Sequence, residues 1–168
     1  MPFLLCGIFP ACSIREPTWD SVKVQIRNAY PSVPQVTVDE LHDRLVRGEK
    51  IILIDAREPE EYEVSHLKGA SQASRSRTAA ALIDHRGSSV PVVVYCSVGF
   101  RSSALADGLI SAGFTNTANL EGSIFEWGNS GHPVYRGTQA VEVIHPYNPK
   151  WGTLLDAELR WKGQERGK

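Results

Sequence analysis

The sequence predicts an α/β domain built on a central, mostly parallel sheet with helices on both faces. Two apolar runs, Ile51-Ile52-Leu53-Ile54 and Pro91-Val92-Val93-Val94-Tyr95, have strand length and no polar interruption, as in parallel strands covered on both sides. Segments of helical spacing alternate with them, the pattern of βαβ units. The second run ends directly in the tight loop Cys96-Ser97-Val98-Gly99-Phe100-Arg101-Ser102. In parallel sheets ligands bind beyond the carboxyl ends of strands, where this loop falls.

Along the chain, residues 20–29 form a short helix with Asp20 as cap and Val22, Ile26 and Ala29 on one face, ended by Tyr30-Pro31. Pro31-Ser32-Val33-Pro34 reads as a linker. Thr37 and Glu40 have capping-box spacing; Leu41, Leu45 and Val46 continue an apolar face, and Gly48 stops the helix. After the strand 51–54, residues 58–64 predict a short helix, with Pro59 in its first turn and acids where the dipole favours them. Residues 79–85 predict another, stopped by Gly87. The strand 91–95 leads through the cysteine loop into a helix from about Arg101 to Gly113. Residues 115–120 read as a last strand, and Ile124, Phe125 and Trp127 as a final helical turn or two. Beyond these, 140–144 suggests an edge strand, 146–149 a turn, and 163–168 a frayed end. The expected organisation is an N-terminal extension over 1–35, the domain over 36–134, and a C-terminal extension over 135–168 packed on the domain or on a partner.

The 168 residues fit one domain with a substantial core. A net charge of -1 and a pI near 6.5 argue against nucleic acid as a partner. The three cysteines, Cys6, Cys12 and Cys96, are an odd number that suits a reducing compartment, so a cytoplasmic location is expected. Neither cysteines nor histidines show metal-ligand spacing, and no metal or cofactor is expected. The apolar start, Met1 to Phe9, lacks a basic n-region and is interrupted by Pro10. It reads as a tail packed on the domain or on a second subunit, which makes a homodimer plausible, and not as a signal peptide or lipid anchor. No segment approaches the apolar length that spans a bilayer.

The chemistry concentrates at Cys96. Its thiol sits at the end of a buried strand and the mouth of a helix, where free N–H groups and the helix dipole favour thiolate over thiol. Arg101 adds a permanent cation with a planar fork of donors. The pattern is that of a nucleophilic sulfur facing an anionic substrate.

Two segments together resemble the rhodanese-like domain family. The first runs from Ile54-Asp55-Ala56-Arg57-Glu58-Pro59-Glu60-Glu61-Tyr62 to Ser65-His66-Leu67-Lys68-Gly69-Ala70. The second is Val94 to Ser102, continued by Ala112-Gly113-Phe114 and Asn119-Leu120-Glu121-Gly122-Ser123-Ile124 with Trp127. The resemblance implies a sulfurtransferase in which Cys96 takes the outer sulfur of a donor such as thiosulfate. It would keep that sulfur as a persulfide and yield it to cyanide or a protein thiol. It also implies that backbone N–H groups of Ser97, Val98, Gly99, Phe100, Arg101 and Ser102 hold the persulfide sulfur as a nest. Ser65 and Ser123 stand where the family usually has glycine; the expectation is that they affect turn geometry without touching the loop chemistry.

Asp55 and Arg57 read as a structural ion pair beneath the loop, and His66 as a structural histidine, because an ionised thiolate needs no base. Arg75 and Arg77 read as solvated, Trp127 and Trp151 as packing anchors, and Cys6 and Cys12 as tail thiols outside a sulfur relay. Two other functions compete. Phosphatases that resemble rhodanese domains place five residues between cysteine and arginine, whereas four separate Cys96 from Arg101, and no acid lies inside this loop. A non-catalytic binding module is disfavoured by the presence of the loop cysteine.

Overall fold

Parallel pairing of five short strands organises the computed structural model, which describes residues 16–87 and 89–163. The strands are β1 (Gln35–Val36), β2 (Ile52–Asp55), β3 (Ser71–Gln72), β4 (Val92–Tyr95) and β5 (Thr117–Leu120), in the spatial order β1-β5-β4-β2-β3. All neighbouring pairs are parallel, with Ile54 opposite Val94 and Val93 opposite Ala118. Side chains alternate across the central strands. Leu53, Val93 and Tyr95 enter one core with residues of α1 (Trp19–Ala29), α2 (Val38–Val46) and α6 (Ser123–Asn129). Ile52, Ile54, Val92, Val94 and Cys96 enter the other, with Ala79 and Ile83 of α4 (Ser76–Arg86) and Leu105 and Leu109 of α5 (Phe100–Ser111). The sheet is therefore covered on both faces, as the unbroken apolar runs predict.

Thr37 and Glu40 form the expected capping box, and α3 (Pro59–Val64) starts with Pro59. Several expectations are corrected. The cap of α1 is Thr18, whose hydroxyl accepts from the Ser21 amide at 3.3 Å; Asp20 instead sits in the first turn, where its charge complements the dipole. Ala29 and Val46 leave the apolar faces: Ala29 is exposed and Val46 is 72% exposed. The first central strand begins at Ile52, α4 begins three residues earlier than its apolar spacing suggests, and β5 begins at Thr117.

Instead of an edge strand over 140–144, β6 (Val134–Arg136) and β7 (Gln139–Val141) form a separate antiparallel hairpin. A bridge between His66 and Tyr135 ties that hairpin back to the domain, and Ile144 bridges to Arg160. The turn near Pro146 runs on into α7 (Pro149–Gly152), capped by Asn148. No helix among the described residues is long and apolar enough to cross a membrane. Cys6, Cys12, the apolar start and the last five residues lie outside the described residues.

Candidate active site around Cys96

Strand β4 ends at Tyr95, helix α5 begins at Phe100, and Gly99 caps it with φ +121°. Cys96 Sγ is thereby turned back under the first turn of α5. The Gly99 amide donates to Sγ at 3.2 Å and the Ser102 hydroxyl lies 3.4 Å away. The first amides of a helix have no partner within it, so they are available to an anion at this point. Glycine is required at 99 for its backbone and for space, because a Cβ there would stand 2.8 Å from Ile26 Cδ1 of α1.

The loop is held from behind by α6. The Ile124 and Phe125 amides donate to the Cys96 and Ser97 carbonyls, and Ser123 Oγ accepts from the Cys96 amide at 3.1 Å. Ser123 therefore does touch the loop, contrary to the expectation from its place in the sequence. Its hydroxyl also donates to the Leu120 carbonyl, so it bridges β5 to the cysteine. Ser65 behaves as expected: its carbonyl serves Arg57 and it stays away from the loop.

Cys96 is 1% exposed. Burial alone pushes its thiol up, but the Arg101 charge and hydrogen bonds from Ser102 and Gly99 outweigh burial and hold it below its ordinary value. The Ser102 hydroxyl has one proton and three acceptors in reach: Sγ, the Gly99 carbonyl at 3.2 Å and Asn119 Oδ1 at 2.6 Å. Ionisation of the thiol rewards turning that proton from Asn119 to sulfur. Asn119 is fixed in turn by donating to Gln35 Oε1 at 2.7 Å.

Arg101, expected both to hold the loop and to attract an anionic donor, holds the loop but is itself paired with a carboxylate. Its Nη1 and Nη2 donate to Glu61 Oε2 and Oε1 at 2.6 and 2.8 Å, and Nη2 also donates to Ser97 Oγ at 2.9 Å. The Tyr147 ring covers one face of the guanidinium at 4.6 Å. Burial would push the Glu61 carboxyl up, but Arg101 and the Glu58 amide bring it below the usual range. The loop itself has no acid, as its sequence says; α3 supplies one across space.

Asp55 and Arg57 form a fully buried pair beneath the site, with Arg57 Nη2 2.6 Å from Asp55 Oδ2 and 2.6 Å from the Ser65 carbonyl. His66 stacks on Tyr62 at 4.0 Å and its Nδ1 lies 3.1 Å from the Tyr62 carbonyl. Arg75 and Arg77 are exposed and away from the cavity. Trp127 packs in the core and donates to the Pro133 carbonyl. Trp151 packs against the core as expected, and with Tyr147 and Phe100 it also lines a cavity of about 170 Å³ over Cys96.

Glu61, Asn119 and Tyr147 were not singled out by sequence reasoning, and Ser123 was noted only as a departure in turn geometry. Glu61 and Asn119 lie inside the two motif segments, yet only chain folding shows that they point at the loop. For Tyr147 the one signal was a turn-forming Pro-Tyr-Asn-Pro run of no evident purpose.

A five-stranded parallel α/β domain with a cysteine loop between strand and helix is the architecture of a rhodanese-like domain. The chain belongs to that family: the Rhodanese-like domain matches residues 37–130. It is 33% identical over 103 residues to the "Probable adenylyltransferase/sulfurtransferase MoeZ" of Mycobacterium tuberculosis, covering 58% of this chain and 25% of that protein. The chain thus spans a quarter of that relative's length. It is 31% identical over 106 residues to the "Sulfurtransferase" of Allochromatium vinosum, covering 61% of this chain and 94% of the relative. Among solved structures, it shares its fold with the thiosulfate sulfurtransferase from Pseudomonas aeruginosa, at a TM-score of 0.61, 20% identity, and coverage of 78% of this chain and 26% of that one. Both of these sequence relatives carry sulfurtransferase in their names.

Proposed function

We propose that the protein is a sulfurtransferase that carries sulfane sulfur on Cys96. The observation that supports it most is the seat of Sγ: a thiol held below its ordinary pKa, under the amides of Gly99 and the first turn of α5, at the floor of a cavity. The thiolate attacks the outer sulfur of a donor such as thiosulfate or another persulfide. A Cys96–sulfur bond forms as the donor's sulfur–sulfur bond breaks, and the bonding pair leaves with the departing group, as sulfite when thiosulfate is the donor. An acceptor, cyanide or a thiol, then attacks the outer sulfur and releases the Cys96 thiolate, giving ping-pong kinetics. The amides of the loop meet the negative charge of the persulfide as they meet that of the thiolate. The Glu61–Arg101 pair argues against a phosphatase, because the guanidinium that would meet a phosphate dianion is already paired with a carboxylate.

The test is intact-protein mass after incubation with thiosulfate or an organic persulfide, for wild type and Cys96→Ser side by side. One added sulfur on wild type alone, removed by cyanide or thiol, is expected. No adduct from either donor, or an equal adduct on both proteins, overturns the reading.

A further inference from the structure

The family match ends at residue 130, yet part of the wall over Cys96 comes from further along the chain. The segment after β7 returns across the sheet's carboxyl edge and sets Tyr147 and Trp151 opposite Phe100 and Val98. Trp151 packs at a tilt against Phe100, with ring centroids 5.7 Å apart. Tyr147 holds φ +64°, the left-handed region that a residue with a Cβ rarely adopts. Such strain persists only where surroundings fix it, and here the ring lies against Arg101 while Asn148 caps the following helical turn.

The cavity thus has an aromatic wall, and the cation in its lining, Arg101, is already paired with a carboxylate. Arg101 commits one Nη1 and both Nη2 hydrogens to Glu61 and Ser97, and one of its faces to Tyr147. Lys150 places its ammonium over Trp151 at 5.6 Å, on the side of a neighbouring groove lined by Thr18 and Gln25. Burial holds His145 below its ordinary pKa, which favours its neutral form. A bare inorganic dianion would lose its hydration here against a guanidinium whose charge Glu61 already offsets. The volume of about 170 Å³ is instead close to that of an apolar cavity that accepts a benzene-sized group.

Building on the sulfurtransferase reading, we propose that the donor is a small organic sulfane-sulfur compound with an apolar group beside its labile sulfur, and that Tyr147 and Trp151 select it. For an organic persulfide, the Cys96 thiolate bonds to the outer sulfur, the sulfur–sulfur bond breaks, and the thiolate RS⁻ leaves with the electron pair. For an aryl thiosulfonate the leaving group is the sulfinate. In both cases the apolar group rests on the aromatic wall while the outer sulfur meets Sγ.

The experiment compares kcat/KM for benzenethiosulfonate and for thiosulfate with cyanide as acceptor, each divided by the rate of the same donor with cyanide in solution. Wild type should prefer the aryl donor at least about tenfold on this corrected scale. Trp151→Ala should reduce that preference about tenfold, about the contribution of burying an aromatic ring surface, with a larger loss for the aryl donor than for thiosulfate. Trp151→Leu, which keeps an apolar wall, should retain most of the preference. Equal corrected constants in wild type, or equal losses for both donors in Trp151→Ala, overturn this inference alone. Failure of both donors to load Cys96 overturns the sulfurtransferase reading as well.

Discussion

Glu61 grips Arg101 through two short hydrogen bonds, 2.6 and 2.8 Å, and so clamps α3 to the first turn of α5 beside the cysteine. The clamp has two opposing electrical effects. Arg101 lowers the thiol pKa, while Glu61 fixes the guanidinium in place and cancels much of its charge at longer range. A motif written as cysteine, four residues, arginine conveys only the first effect. Held this way, Arg101 shapes the loop through Ser97 more than it recruits an anion.

Removing one member of the clamp should therefore differ from removing both. Arg101→Ala leaves the 5%-exposed Glu61 carboxylate unpaired next to a thiolate, so the thiol pKa rises and sulfur transfer at pH 7 falls by roughly ten- to a hundredfold. Arg101→Ala/Glu61→Gln removes the stranded anion and should recover a good part of that loss, since groups in one network are not additive. Glu61→Gln alone should move the pH midpoint of Cys96 alkylation by iodoacetamide downward. An Arg101→Ala enzyme of wild-type rate, or a double variant worse than the single one, contradicts the account. Cys96→Ser sets the floor, with transfer reduced by at least about a thousandfold.

The depressed thiol pKa also makes a prediction about stability. The folded value lies below the unfolded one, roughly 8.5. A group whose anionic form is favoured by folding contributes stability fully above the unfolded pKa and loses it as pH falls through the folded value. The stability difference between wild type and Cys96→Ser should therefore shift in favour of wild type between pH 6 and pH 9. Urea midpoints of both proteins across that range give the comparison, and a difference that is flat or moves the other way sinks the claim.

Much of this architecture was legible because it rests on local rules. Unbroken apolar runs at 51–54 and 91–95 read as doubly covered strands, which lie at 52–55 and 92–95, and Thr37 with Glu40 read as a helix start. What escaped were relations set by tertiary packing. Val46 continues a helical spacing but has no neighbour above it, so periodicity alone misassigned it. Thr18 displaced Asp20 as cap because the chain enters the helix one turn-step earlier than its apolar pattern. The Ser123 bond to Cys96 and the Tyr147 cover on Arg101 join residues 27 and 46 positions apart, a separation at which no spacing rule operates.

Asp55 and Arg57 are both wholly buried, two residues apart, and share three hydrogen bonds between side chains. Removing one charge strands the other in the core beside Tyr95. Asp55→Ala should cost about 3–5 kcal/mol, seen as a lower urea midpoint, while the Cys96 alkylation profile of the remaining folded protein stays close to wild type. A loss of only a few tenths of a kcal/mol would mean that the pair is not holding the loop's foundation.

Gly99 joins the helix that precedes the family segment to the chemistry within it. A methyl group at this position meets Ile26 Cδ1 at 2.8 Å and must also adopt φ +121°. The backbone part of that penalty is roughly 1–3 kcal/mol, and the steric part depends on whether α1 can yield. Gly99→Ala should therefore lower stability and reduce sulfur loading at least about tenfold, because the amide that donates to Sγ is the one displaced. Ile26→Val removes the Cδ1 atom alone, at a cost of about 0.5–1.5 kcal/mol. In Gly99→Ala/Ile26→Val the clash disappears while the φ strain remains. The double variant should be more stable than the sum of the single effects predicts, by at least about 0.5 kcal/mol, with loading only partly restored. Strict additivity would show that α1 does not press on the loop, and full restoration would show that the backbone at 99 carries no strain.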